Sequence, residues 1–466
     1  MRIKNICCIG AGYVGGPTMS VIALKCPEIN ITVVDKSEKK IDSWNNKDLS
    51  KLPVFEPGLS DVIKKVRNKN LFFSTNIKQA IQNSEMIFLA VNTPTKKKGK
   101  GKGMAADLSN IISSAKEIAN FSFSDKIIVE KSTLPVRTAE KLKEILHASN
   151  KNVKFEILSN PEFLAEGSAI KDLFKSDRVL IGGDDTDSGR KAINSLFEIY
   201  KKWIPKEKIL VSNVWSAELS KLASNAFLAQ RISSINSLSA FCEKTGANIL
   251  EISKAIGADH RIGNKFLQPS AGFGGSCFQK DILNLVYLAK SYGLTEVADY
   301  WNQVIKINNY QRSRFADLIE SNLEGDLVNK KITVLGWAFK KNTNDTRESS
   351  SIYVTEHLLS KGAFVNIYDP KIKSEKIIQD ITLLLESLGY SKREIQELNQ
   401  RISIFNNCIT SMQRVDAVAI LTEWDEFKEF NWQNILSNEK YPKYIFDGRL
   451  IINEKKVPKQ IKLITI

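Results

Sequence analysis

The chemistry in this chain centres on one thiol. Gly272-Phe273-Gly274-Gly275-Ser276-Cys277 runs straight into an apolar helical pattern. Cys277 is therefore expected at or near a helix N-terminus, where the partial positive charge favours the thiolate. Asp281 lies four residues on, on the same helix face, and Lys280 supplies a nearby cation. A carboxylate there can orient or activate water, but it does not itself favour a thiolate. The competing reading is a buried packing cysteine, the usual fate of a lone thiol. Cys7, Cys8, Cys26, Cys242 and Cys408 lack this setting and read as packing residues. A second pair, Lys221 and Asn225, sits at i and i+4 in a helical stretch bordered by Leu219, Leu222, Ala223 and Ala226. A lysine and an amide on one stripe can polarise an oxygen in a pocket. A solvated polar face would show the same pattern.

The second chemical feature is a glycine turn. Gly10-Ala11-Gly12-Tyr13-Val14-Gly15 matches GxGxxG, directly after the apolar run Ile6–Ile9 and at the opening of a helix. The glycines allow a tight turn, close approach of a pyrophosphate and tight helix–strand packing. Asp35 ends the next strand, about twenty residues on, where an acid accepts from ribose hydroxyls and disfavours a 2′-phosphate. That combination predicts NAD rather than NADP; a glycine-rich turn with a surface Asp is the bland alternative. Val91-Asn92-Thr93-Pro94-Thr95 and Ser132-Thr133-Leu134-Pro135 each follow a strand, where strand ends line a ligand crevice. Together they read as a cofactor wall.

The elements that must hold these residues follow from hydropathy. From residue 5 to 210, apolar strands alternate with amphipathic helices, with strands at Asn5–Ile9, Ile31–Val34, Met86–Ala90, Lys126–Glu130, Glu156–Ser159 and Val179–Gly182. This alternation predicts a parallel sheet covered by helices on both faces. From about Asn213 to Asn322 strand signals vanish and helical periodicity runs long, broken at Gly246 and Gly272–Gly275. Strands resume at Ile332–Leu335, Phe364–Tyr368, Ala417–Leu421 and Tyr444–Phe446, while Lys371–Arg401 reads as charged helix. The expected fold is α/β: two Rossmann-like doubly wound parallel-sheet domains, 1–212 and 326–466, joined by a central helical domain, 213–325, with one long helix.

Composition narrows the function classes. The 466 residues carry 26% charged and 42% hydrophobic side chains, ordinary for a globular protein. No run reaches the roughly 18 apolar residues needed to span a bilayer, so no membrane is expected. Glycines interrupt the apolar N-terminal stretch, which therefore reads as folded structure rather than a signal for export. Six cysteines without a CxxC pair indicate neither a disulfide framework nor a metal site, and fit a reducing, cytoplasmic setting. The net charge of +15 raises nucleic acid as a partner, but lysine is spread along the chain. The densest run, Lys96 to Gly103, has no aromatic residue to stack a base, so no nucleic acid is expected.

Longer motifs carry a resemblance. Asn160-Pro161-Glu162-Phe163-Leu164-Ala165-Glu166-Gly167, Gly272 to Asp281, Gly336-Trp337-Ala338-Phe339-Lys340-Lys341 and Phe446-Asp447-Gly448-Arg449 resemble the UDP-glucose 6-dehydrogenases of animals and plants, within the nucleotide-sugar dehydrogenase family. The likeness spans nearly the whole chain. It implies oxidation of the C6 alcohol of UDP-glucose to a carboxylate with reduction of two NAD⁺. It implies that the Cys277 thiolate captures the intermediate aldehyde as a thiohemiacetal, which becomes a thioester and is hydrolysed. Lys221 is implied to stabilise the oxyanion with Asn225 assisting, Asp281 to position or deprotonate water, and Glu162 to act as general base with Thr133 nearby. On the substrate side the resemblance implicates Glu162 to Glu166, Lys221, Asn225, Arg261 donated by a neighbouring subunit, Gln268, Pro269, Ser270, Ala271, Gly272, Phe273, Gly274, Phe339, Lys340 and Arg449. Lys40, Ser132, Thr133, Glu166, Lys280 and Arg347 join the glycine loop and Asp35 on the cofactor side. It further implies self-association through the central helices, as dimers and hexamers. Gln268-Pro269 stands in place of Lys-Ala and Lys40 in place of Arg. These departures bear on substrate affinity and feedback rather than on the chemistry.

Two alternatives remain. A sibling enzyme acting on GDP-mannose or a UDP-N-acetylhexosamine is disfavoured by the Gln268–Gly274 match. A non-catalytic nucleotide-sugar-binding regulator has no need of Cys277, Lys221, Asp281 and Glu162 together.

Overall fold

A computed structural model describes residues 2–149, 152–432 and 442–466. The chain forms two compact units: Met1–Ser224 with Leu283–Gly293, and Asn225–Ile282 with Leu294–Ile466.

The first unit is built on an eight-stranded sheet: β1 (Asn5–Ile9), β2 (Asn30–Val34), β3 (Leu71–Ser74), β4 (Met86–Leu89), β5 (Lys126–Glu130), β6 (Phe155–Ser159), β7 (Val179–Gly182) and β8 (Ile209–Ser212). Their spatial order is β3-β2-β1-β4-β5-β6-β7-β8. In β1, Ile6 and Cys8 enter one core while Cys7 and Ile9 enter the other. Both faces are covered, which is why the inner strands read as continuous apolar runs. Five of the six cysteines are buried and Cys277 is half-buried. Burial pushes the Cys7 thiol up to about 12 and Cys26 up to about 11, far from reactivity.

One expectation needs correcting. The sheet is parallel from β3 to β6, but β7 pairs antiparallel to β6 through Ser159 and Gly182, with β8 parallel to β7. The connection from β6 to β7 carries only the six-residue helix Ala169–Phe174.

The second unit holds a six-stranded, wholly parallel sheet: β9 (Lys331–Leu335), β10 (Phe364–Tyr368), β11 (Ile402–Phe405), β12 (Ala417–Ile420), β13 (Tyr444–Asp447) and β14 (Lys462–Thr465). Its order is β11-β10-β9-β12-β13-β14. Trp337, Phe427, Trp432 and Phe446 fill its core. The central helical stretch contains two long helices rather than one, Val214–Thr245 of 32 residues and Thr295–Asn322 of 28. Among the described residues no helix is long and apolar enough to cross a membrane.

Candidate active site

The glycine turn is shaped for a dinucleotide. Gly10 has φ +112°, and a Cβ there would lie 2.4 Å from the Ala90 carbonyl oxygen. A Cβ on Gly15 would lie 2.0 Å from Gly10 O, so this glycine seats helix Gly15–Lys25 against the strand ends. A Cβ on Gly12 would meet nothing within 4 Å, which leaves the open approach that a pyrophosphate needs at the helix N-terminus. Ala11 is buried, while Tyr13 and Val14 are half-buried beside the opening.

Asp35 follows β2 and accepts from Ala11 N at 3.0 Å, Ser37 N at 3.0 Å and Lys40 Nζ at 2.8 Å. Burial alone would raise its carboxyl; the Lys40 ammonium and the two N–H groups outweigh burial and hold it below the usual range. An anionic acid here suits two ribose hydroxyls and repels a 2′-phosphate. The wall segments meet: Thr93 Oγ1 donates to Thr133 O at 3.0 Å, and Ser132 Oγ to Val91 O at 2.6 Å. Pro94 O accepts from Asp107 N at 2.7 Å, Asn92 O from Asn110 Nδ2 at 3.0 Å, and Thr95 bridges to Ala106. The segment Val91–Thr95 is thus fixed beside Ser132 and Thr133.

Also in the first unit, Glu162 and Lys221 are both buried and their charged groups lie 3.2 Å apart. Glu162 folds back so that its Oε2 accepts from Leu164 N at 2.8 Å. A buried pair of this kind is held only where geometry over-determines it, because each ion has lost its water. Phe163, Leu164 and Glu166 are half-buried along the same turn and Ala165 is exposed.

In the second unit Cys277 immediately precedes helix Phe278–Ser291, and its carbonyl accepts the first-turn N–H of Asp281 at 2.9 Å. It therefore occupies the N-cap position, as its sequence setting indicates. Asp281 is 1% exposed, accepts from Asn225 Nδ2 at 2.6 Å and lies 3.7 Å from Lys280 Nζ. The ring of Phe339 approaches so closely that a Cβ on Gly275 would lie 2.9 Å from it, so no larger residue fits ahead of the thiol. Gly275 N donates to Arg347 O at 2.8 Å, and Arg347 pairs with Asp345 at 2.6 Å.

Two predicted residues behave differently from the rest. Arg261 is exposed and pairs with Asp259 at 2.6 Å. Arg449 donates to Leu421 O at 2.8 Å and Phe339 O at 2.7 Å and pairs with Glu423 at 3.4 Å, so it supports Phe339. Lys340 Nζ lies 5.5 Å from the Phe339 ring centroid, and Gln268 reaches back to Arg449 O at 3.5 Å.

Sequence reading missed the clamp on the loop that leads to Cys277. Asn236 Oδ1 accepts from Ser270 N at 2.9 Å and Gln311 Nε2 donates to Ser270 O at 2.9 Å. Asn308 accepts from Phe273 N at 2.8 Å and donates to Phe273 O, which Arg312 Nη2 also reaches at 2.9 Å. Ala271 N is held by Gly448 O at 2.8 Å. Pro269 and Gly272 to Gly274 are buried beneath these partners. The signal was present: Asn308, Gln311 and Arg312 are polar residues at helical spacing on one face, all at most 3% exposed.

A glycine turn with its acid, in the strand order of a dinucleotide-binding sheet, defines an NAD-linked oxidoreductase. Comparison with known proteins narrows the class. The chain belongs to the UDP-glucose/GDP-mannose dehydrogenase family: residues 4–204 match its NAD binding domain, 215–310 its central domain and 333–454 its UDP binding domain. It is 53% identical over 457 residues to "UDP-glucose 6-dehydrogenase 3" of Arabidopsis thaliana, covering 97% of this chain and 94% of that one. It is 54% identical over 454 residues to the UDP-glucose 6-dehydrogenase of Mus musculus, covering 97% and 90%. A solved UDP-glucose dehydrogenase from the archaeon Pyrobaculum islandicum superposes with a TM-score of 0.83 at 28% identity, over 100% of this chain and 97% of that one.

Proposed function

We propose that this chain oxidises the C6 alcohol of UDP-glucose to the carboxylate through a covalent intermediate on Cys277. The observation that carries this is a half-buried thiol at a helix N-cap, with a buried carboxylate held one turn further on by Asn225. When bound, NAD supplies the two-electron acceptor for each of two oxidations. Glu162, with Thr133 nearby, takes the proton of the C6 hydroxyl in the first. The Cys277 sulfur then bonds to the aldehyde carbon, and the carbonyl electron pair moves to oxygen, which takes a proton. Lys221 stabilises that oxygen, with the Asn225 amide as a second donor. Oxidation of the thiohemiacetal leaves a thioester. Asp281 orients the water that attacks it; the C–S bond breaks and the thiolate leaves. The overall balance is one alcohol, one water and two NAD⁺ giving one carboxylate, two NADH and three protons. Covalent capture keeps the aldehyde on the protein while the cofactor exchanges.

Residues 1–212 serve as the cofactor domain, 213–325 as the central helical domain that carries the thiol, and 326–466 as the UDP-sugar domain. Phe227 and Phe241, 59% and 69% exposed on the long helix, support self-association into dimers and hexamers. The absence of a disulfide among the described residues supports a cytoplasmic setting.

The test is stoichiometric. Two NADH should form per UDP-glucose consumed, and Cys277→Ser should lose turnover to carboxylate by at least ~100-fold. One NADH per sugar, or undiminished activity of the variant, refutes the scheme.

A further inference from the structure

We infer that Arg178 is a positioning residue for Glu162, acting through the ring of Phe163. The inference rests on the proposed role of the Glu162–Lys221 pair. Arg178 immediately precedes β7, and its guanidinium carbon lies 3.8 Å from the Phe163 ring centroid. Its Nη2 donates to Ser224 Oγ at 2.8 Å. The Lys221 ammonium lies 5.6 Å from the same centroid and 3.2 Å from Glu162 Oε1. Lys221 and Ser224 are three residues apart, hence neighbours on one turn of helix. The Glu162-Phe163 dipeptide is therefore tied to that turn twice, once by an ion pair and once by a stacked ring.

The choice of partner is telling. Among the described residues Arg178 makes no ion pair, and it is only half-buried. The guanidinium sits on a π face and donates to a hydroxyl, and the neighbouring acid Asp177 acts on it at longer range. Planarity suits arginine to that stack, and a lysine cannot both stack on the ring and donate to Ser224. The ring in turn fixes the backbone on one side of Glu162, while Leu164 N fixes its Oε2 at 2.8 Å on the other. Releasing the ring frees Glu162 to leave Lys221. A misplacement of about 1 Å at a reacting group costs up to ~100-fold in rate.

The experiment uses full-length protein with UDP-glucose and NAD. Arg178→Leu should lower kcat about 10- to 100-fold, a larger change than any in KM for UDP-glucose. Arg178→Lys should recover part of the loss. Arg178→Ala should be partly rescued by millimolar guanidinium, which a misfolded protein would not be. Ser224→Ala, a mild helical change, should lower kcat a few-fold in the same direction. A crystal structure of Arg178→Leu should show the Phe163 ring displaced and Glu162 parted from Lys221. An unchanged kcat in Arg178→Leu overturns the inference, as does a raised KM with unchanged kcat, which would make Arg178 a substrate contact. An unmoved Glu162–Lys221 pair overturns it independently of activity. Wild-type protein without activity on UDP-glucose would instead count against the proposed reaction, and the crystal structure would still decide the role of Arg178.

Discussion

The two sheets repeat one plan and use it for different ends. Numbered within its own unit, each runs 3-2-1-4-5-6, with β7 and β8 appended to the first. After the first strand each has a glycine in the left-handed region whose N–H donates 2.8 Å to the end of the second strand: Gly10 to Val34 O, Gly336 to Tyr368 O. After the second strand each has an aspartate that accepts from the first turn. Asp35 takes Ala11 N at 3.0 Å; Asp369 takes Trp337 N at 2.7 Å and Ala338 N at 3.0 Å. The fifth strand ends in an acid in both, Glu130 and Asp447. What differs is the filling. In the first unit the turn opens at Gly12 and leads straight into helix Gly15–Lys25. In the second, fully buried Trp337 plugs the turn, its Nε1 donates to Asp380 at 3.1 Å, and the helix starts only at Ser350. The same backbone device is thus a cofactor seat in one unit and a structural knot in the other.

The largest expected effect probes the knot. Besides the two turn N–H groups, Asp369 accepts from Trp424 Nε1 at 3.1 Å, Lys371 N at 2.8 Å and Ile372 N at 3.1 Å. Asp369→Asn sets an NH₂ against at least two of these donors in either orientation. We expect a loss of about 3 kcal/mol or more, since buried donors would be left unpaired, read as a fall in denaturation midpoint. Asp35→Asn, half-buried and shared with a half-buried lysine, should cost less than about 1 kcal/mol. Equal losses would erase the distinction between seat and knot.

The next effect concerns the seat alone. Asp35→Ala should raise the ratio of kcat/KM with NADP⁺ to that with NAD⁺ by about 10- to 100-fold, roughly 1.4 to 2.7 kcal/mol. The cause is removal of the charge that repels a 2′-phosphate. Steady-state kinetics with both cofactors checks it, and an unchanged ratio would remove Asp35 from cofactor selection. Asp369→Ala should leave the ratio in any surviving protein unaltered.

The seat was legible in the sequence and the knot was not, for a physical reason. A site that meets a ligand must expose its glycines, its acid and its helix start in one contiguous turn, so Gly10 to Asp35 could be read directly. A structural knot is satisfied by donors spread along the chain, such as Trp337, Lys371 and Trp424, which only folding brings together. The same reasoning explains the strands. Every strand located from hydropathy is internal to its sheet, and the four that escaped notice, β3, β8, β11 and β14, are the edges. Their burial is broken in all four, and in β11 and β14 no residue is fully buried, so the short apolar runs of β3 and β8 are not those of an inner strand. Cys277 and Asp281 were legible through their spacing. The helical spacing of Asn308, Gln311 and Arg312 was visible, but what they clamp, like the ring that Arg178 stacks on, lies far along the chain.

The smallest effect separates the two strand-end acids. Asp447 is pushed up by burial, against N–H groups of Ile452, Arg449, Ile451 and Leu450 that pull it back. Glu130 has no such donors: it is 1% exposed, and neither carboxylate oxygen finds a hydrogen-bond partner among the described residues. Its neighbour is another acid, Glu218, which accepts from Arg137 N at 2.7 Å and Ala139 N at 2.8 Å. Burial raises both, Glu130 well above the carboxylate range, with Glu218 adding to it, and Glu218 to about 7. A proton held between them would supply the missing hydrogen bond. Their folded-state values exceed the unfolded value of about 4.5, so the folded state binds more protons across that window. The stabilisation is then complete below about pH 4.5 and is lost as pH rises through about 7. Glu130→Gln supplies a permanent N–H donor and removes the second acid. Its thermal midpoint should fall less between pH 5 and 8 than that of the wild type, by an amount scanning calorimetry at four pH values resolves. Asp447→Asn should leave that pH dependence in place while lowering the midpoint throughout. Parallel curves for wild type and Glu130→Gln would show that the two glutamates share no proton, and that the strand-end acids of the two sheets are alike after all.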